Sequence, residues 1–149
     1  MVRLDGVSKS FGQSHVVRDV SFEVHCGQIF GLIGPSGCGK TTTIRLILGL
    51  YRPTSGTVNV HGLEPHRFPR EAREDIGYMP QLFVLYPNLT VNQTLNFMAT
   101  VYGLSREYRR ERIGKVLELV GLQDHRKKRA SRISGGMQRR LELACALLH

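Results

Sequence analysis

Tryptophan is absent from this chain of 149 residues, and cysteine is scarce, at three residues. Cys26, Cys38 and Cys145 share no close spacing, which speaks against a zinc site or a redox pair. Their odd count and scatter fit a reducing compartment. No run of about 18 apolar residues occurs, so no segment is expected to span a bilayer. The N-terminus, Met1-Val2-Arg3-Leu4-Asp5-Gly6, lacks the apolar centre of a signal peptide. These features read as a soluble, cytoplasmic polypeptide of one domain.

Acidic residues are also few. There are 12 against 21 Lys and Arg, for a formal net charge of +9. The excess is uneven: residues 1–100 hold nine basic and seven acidic side chains, and residues 101–149 hold twelve and five. A basic second half suits nucleic acid, an anionic membrane surface, an acidic partner or a plain solvated helical face. The connector Arg126-Lys127-Lys128-Arg129 is the densest run, and suits lipid headgroups, a membrane partner or a solvated charged loop.

The first 35 residues have the β-branched content of strands. Val16, Arg18, Val20, Phe22 and Val24 are expected on one face, with turns at Gly12-Gln13 and Cys26-Gly27-Gln28. Ile29-Phe30-Gly31-Leu32-Ile33 is expected to be a strand buried on both faces. A helix should follow from about Lys40 to Leu50. Short strands are expected at Thr57–Val60 and Ile76–Met79, the second stopped by Pro80. Helical periodicity then takes over. Thr90 and Gln93 have capping-box spacing, Gly103 and Gly121 are helix stops, Ser105 opens a helix, and a last helix runs from Met137.

Between the apolar run and its helix lies Gly34-Pro35-Ser36-Gly37-Cys38-Gly39-Lys40-Thr41, which fits the phosphate-loop pattern GxxxxGK[ST]. Glycines let the backbone curl so that successive N–H groups converge on phosphate oxygens. The helix start aims its positive end at the same anion. Lys40 supplies a point charge to the β- and γ-phosphates, the Thr41 hydroxyl suits Mg²⁺, and Thr42 adds a phosphate contact. Cys38 reads as a small filler residue, and as a thiol open to alkylation.

Two further motifs accompany this loop. Gly77-Tyr78-Met79-Pro80-Gln81 resembles the Q-loop, and Ile133-Ser134-Gly135-Gly136-Met137-Gln138-Arg139-Arg140 the signature, of ATP-binding cassette (ABC) transporters. The resemblance covers residues 1–149. It implies an α/β fold: a P-loop NTPase with a mixed sheet core, an N-terminal antiparallel β part and a helical subdomain. The core would occupy about 1–80, the helical subdomain about 81–136 and the signature helix 137–149. It also implies roles. Phe11 would stack on adenine. Gln81 would contact Mg²⁺ and the attacking water. Ser134, Gly135 and Gly136 would face the γ-phosphate of ATP on the opposite subunit.

Ile133 and Met137 depart from the family's common Leu and Gln, and the Met-Gln-Arg-Arg continuation resembles an exporter-type subgroup. The family's Mg²⁺-binding Asp and catalytic Glu would fall beyond His149, so ATP binding with little hydrolysis is expected of these residues alone. Implied partners are ATP, a second nucleotide-binding domain and a transmembrane permease, at the inner face of a membrane. Nucleic acid is not expected. A ribosome- or DNA-directed ATPase of the same group and a hydrolysis-incompetent ATP-binding module are the alternatives.

Overall fold

The computed structural model describes residues 1–81 and 85–149; residues 82–84, among the first expected of the helical subdomain, lie outside it. The chain divides into two compact units, Met1–Arg73 and Glu74–His149.

The first unit is built on three antiparallel strands, β1 (Val2–Phe11), β2 (Ser14–Val24) and β3 (Ser55–Val60), in the order β2-β1-β3. Phe11 pairs with Ser14, so Gly12-Gln13 forms a two-residue hairpin loop. The expected single face of β2 is corrected. The ladder steps from Val7–Val20 to Lys9–Val17, two residues against three. Asp19 absorbs the extra residue at φ 46°. The inward face therefore switches. Val17 is buried, whereas beyond the bulge Val20, Phe22 and Val24 take the more sheltered side.

Helix α1 (Lys40–Ile47) ends in a Schellman motif, with Gly49 at φ 71° and Leu50 N–H bonded to the Arg45 carbonyl. Leu46 of α1 lies in the core, as do Leu4 and Val7 of β1 and Val58 and Val60 of β3. A 3₁₀ turn (Pro65–Arg67) and a short helix α2 (Arg70–Glu74) follow.

Two expected strands are not formed. Residues 28–35 carry no ladder, and Ile29 and Ile33 are 103% and 95% exposed. A strand requires a neighbour for its N–H and C=O groups, and among the described residues none lies alongside. Phe30 instead stacks on Phe22 at 4.8 Å. Residues 76–80 are likewise unpaired and run against the end of the last helix, where a Cβ on Gly77 would sit 2.6 Å from the Ala146 carbonyl.

The second unit is helical: α3 (Val91–Val101), α4 (Arg106–Leu119) and α5 (Gly135–Ala146). Both halves of the Thr90/Gln93 capping box are made, and Ser105 and Ser134 cap α4 and α5. Ser134 starts α5 at Gly135, two residues before the expected Met137. Gly103 and Gly121 end α3 and α4 in the same manner as Gly49 ends α1. Leu95, Val116, Leu122, Leu141 and Leu148 centre one contiguous core. The basic connector is fixed through its backbone: the carbonyls of Arg126 and Lys128 accept the N–H groups of Asn92 and Val91, which open α3.

Candidate nucleotide-binding site

The eight residues from Gly34 to Thr41 form an exposed loop that turns into α1. The Pro35 carbonyl accepts the Cys38 N–H at 3.4 Å, curling the loop on itself. Gly39 is the residue this geometry cannot replace. It sits at φ +92°, and a Cβ there would lie 2.6 Å from the Val16 carbonyl of β2. Gly37 has φ +83° in open space, and a Cβ on Gly34 would press on the Cys38 sulfur at 2.7 Å.

Lys40 folds back over the loop. Its ammonium donates to the carbonyls of Gly34 and Pro35, each at 2.7 Å, and the Cys38 sulfur is 3.5 Å away. Two N–H groups are thus held by strong acceptors and the third by a weak one, leaving that third for an anionic ligand. The start of α1 has no side-chain cap and no acidic residue in its first turn. Its opening N–H groups are therefore available to an anion, which the helix dipole favours.

The three threonines differ. Thr43 is buried and its hydroxyl donates to the Gly39 carbonyl at 3.1 Å. The hydroxyls of Thr41 and Thr42 have no protein partner among the described residues. The residues expected to meet metal and phosphate are thus the two whose hydroxyls are uncommitted. Ser36 and Cys38 are exposed on the same loop.

Phe11 lies at the hairpin end of β1, 44% exposed, and its ring makes a T-shaped contact with that of Tyr51 at 5.2 Å. Lys9 and Arg45 complete this cluster: the Lys9 ammonium is 5.0 Å from the Phe11 ring centre, and Arg45 donates to the Tyr51 hydroxyl at 3.2 Å. Sequence reading missed Tyr51. The available signal was that it is the single Phe or Tyr between Phe30 and Phe68.

The remaining expected residues lie in the second unit. The Ser134 hydroxyl accepts the Met137 N–H at 3.3 Å. Gly135 and Gly136 are exposed, and a Cβ on either would meet nothing within 4 Å. Among the described residues nothing requires glycine at these two places. Gln81 is exposed, and its carbonyl accepts from Arg139 at 3.2 Å, while Arg139 also pairs with the buried Glu142 at 2.7 Å. That link between the Q-loop and α5 was not legible beforehand. The two departures from the common signature have a packing role: Ile133 is buried and Met137 packs on the helical core. A pocket of about 470 Å³ beside Gly114, Leu117 and Lys127 is lined by none of the expected residues.

The family profile described as ABC transporter matches residues 17–149. The chain belongs to the ABC transporter family. It is 38% identical to the linearmycin resistance ATP-binding protein LnrL of Bacillus subtilis (strain 168), over 100% of this chain and 48% of that protein. It is 40% identical to the Nod factor export ATP-binding protein I of Paraburkholderia xenovorans (strain LB400), over 99% of this chain and 49% of that one. It thus spans about half the length of these curated relatives. A solved dimeric bacterial ABC transporter cassette superposes with a TM-score of 0.81 at 28% identity, covering 99% of this chain and 69% of that one. The fold is the ABC cassette form of the P-loop NTPases, of which the N-terminal antiparallel sheet and the helical unit are present here. Among the described residues of this ABC chain no helix is long and apolar enough to cross a membrane.

Proposed function

We propose that this chain binds Mg-ATP through Gly34–Thr42 and serves as the energy-coupling part of an ABC exporter. The observation that carries the reading is the phosphate loop itself. Lys40 is pinned across it by two carbonyls, above a helix start that has neither cap nor acidic neighbour. In this reading the loop amides and Lys40 hold the triphosphate, and Pro35, Ser36 and Cys38 shape the turn. Thr41 binds Mg²⁺ and Thr42 a phosphate oxygen, which suits their uncommitted hydroxyls. Phe11 stacks on the base. Bound Mg²⁺ would offset the charge of the phosphates and, in the family reaction, stabilise the leaving group.

Gln81 would contact the metal and the attacking water. Ser134, Gly135 and Gly136 would meet the γ-phosphate on a second cassette, arranged head-to-tail. The open space over both glycines supports that close approach, as does a structural relative that is itself described as dimeric. Export is supported by the Met-Gln-Arg-Arg continuation of the signature and by relatives named for linearmycin resistance and Nod factor export. A membrane permease would be the third partner, at the inner face of a membrane.

Calorimetric titration with Mg-ATP tests the reading. Lys40→Ala should abolish measurable heat while circular dichroism stays unchanged. Wild-type affinity in that variant would refute the site.

A further inference from the structure

We propose that Tyr51, held by Arg45, is a positioning residue for the Phe11 ring, so that the helix rising from the phosphate loop also fixes the base end of the nucleotide. The inference rests on the reading that Phe11 stacks on adenine. Phe11 stands at the tip of a hairpin, outside the core, where a lone ring would be free to change rotamer. Here it meets the Tyr51 ring at 5.2 Å between centroids with an interplanar angle of 75°. In such an edge-to-face contact the two rings overlap less than in a stacked pair.

Tyr51 is itself tethered. Its hydroxyl accepts from the Arg45 guanidinium at 3.2 Å, and the same guanidinium lies 5.7 Å from its ring centre. Arg45 belongs to α1, the helix that starts at Lys40. Lys9 closes the cluster from the strand side. Its ammonium lies 5.0 Å from the Phe11 ring centre and 5.9 Å from that of Tyr51, while donating to the Arg52 carbonyl at 2.8 Å. Phe11 thus has a cation and the Tyr51 ring as neighbours, and the exposed part of a residue that is 44% exposed is left for a ligand. Fixing the ring before binding removes the cost of ordering it during binding.

The test compares two probes on the 149-residue chain by calorimetry: Mg-ATP, and Mg-tripolyphosphate, which has the phosphate chain but no base. Tyr51→Leu should weaken ATP binding about five- to tenfold and tripolyphosphate binding less than about twofold, the range expected for loss of one aromatic pair. Tyr51→Phe keeps the ring and should stay within about twofold of wild type for both probes. Arg45→Gln changes an exposed side chain, and should shift the ratio of the two affinities about two- to threefold.

Equal weakening of both probes by Tyr51→Leu would make Tyr51 merely structural and overturn the inference. If that variant does not fold, the Arg45→Gln ratio decides on the same terms. Phe11→Ala separates the two readings. A changed ratio in Phe11→Ala with none in Tyr51→Leu sinks only the positioning role. An unchanged ratio in Phe11→Ala sinks the stacking reading, and the positioning role with it.

Discussion

The two units solve the problem of burying apolar surface differently. In the helical unit, three capped helices close around Leu95, Val116, Leu122 and Leu141, each below 3% exposure. In the first unit, a thin layer of valines and leucines lies between three strands and α1, while Ile29, Phe30, Leu32 and Ile33 face outward. One unit closes its core within about 75 residues, a span that includes the capping side chains of its three helices. The other holds its functional loop beside backbone groups that nothing in the described chain pairs. A loop proposed to receive a triphosphate would gain from such a setting, because its N–H groups are not already spent.

Thiol labelling would sharpen this contrast most. Cys26 and Cys38 are exposed in the first unit, and Cys145 is buried in the second. At pH 8, Ellman's reagent should label the first two promptly and Cys145 at least about a hundredfold more slowly, since access to it requires local opening. Burial, reinforced by the nearby charge of Glu142, pushes the Cys145 thiol up to about 12 from 9.0. The folded state thus prefers the neutral thiol. This contribution to stability is complete below pH 9 and is lost progressively as pH rises from 9 towards 12. Labelling of all three thiols at one rate would show that the helical core is not closed.

Leu95→Ala strikes that core directly. Removing a fully buried leucine should cost about 2–5 kcal/mol of unfolding free energy, read by urea denaturation. Native-state hydrogen exchange should place the loss in α3, α4 and α5 and leave the β1–β2 hairpin amides nearly unaffected. A loss spread evenly over both units would mean that they unfold as one. Thr90→Ala is the local counterpart. It removes one half of a capping box and should cost about 1 kcal/mol, with faster exchange confined to the first turn of α3.

This contrast also explains what could be read from sequence. The helical unit was legible because its signals are local: Thr90 with Gln93, Ser105, Gly103 and Gly121 act within one or two turns of their own helix. The phosphate loop was legible for the same reason, since six residues set its curl and the next starts its helix. The β bulge at Asp19 was not legible, because a two-against-three register is a property of β1 and β2 together. Nor was Tyr51, whose partner Phe11 is 40 residues away in sequence. The strand expected at Ile29–Ile33 failed for a related reason. Apolar composition shows that a segment can be buried, and only a neighbouring ladder makes it a strand. The departures Ile133 and Met137 were visible as letters, but their packing on the helical core was not.

Ile33→Ser gives the smallest expected effect and is the most direct way to break the comparison. The side chain is 95% exposed, so its replacement removes almost no buried apolar area and should change unfolding free energy by less than about 0.5 kcal/mol. It also shortens an apolar stretch that would favour association, so sedimentation should show the variant no more self-associated than the wild type. A loss above about 2 kcal/mol would be the cost of an interior residue rather than a surface one. Residues 29–33 would then be packed against a surface, and the first unit would be as closed as the second. The loop at Gly34 would in that case owe its shape to the strand before it as well as to Gly39 and α1.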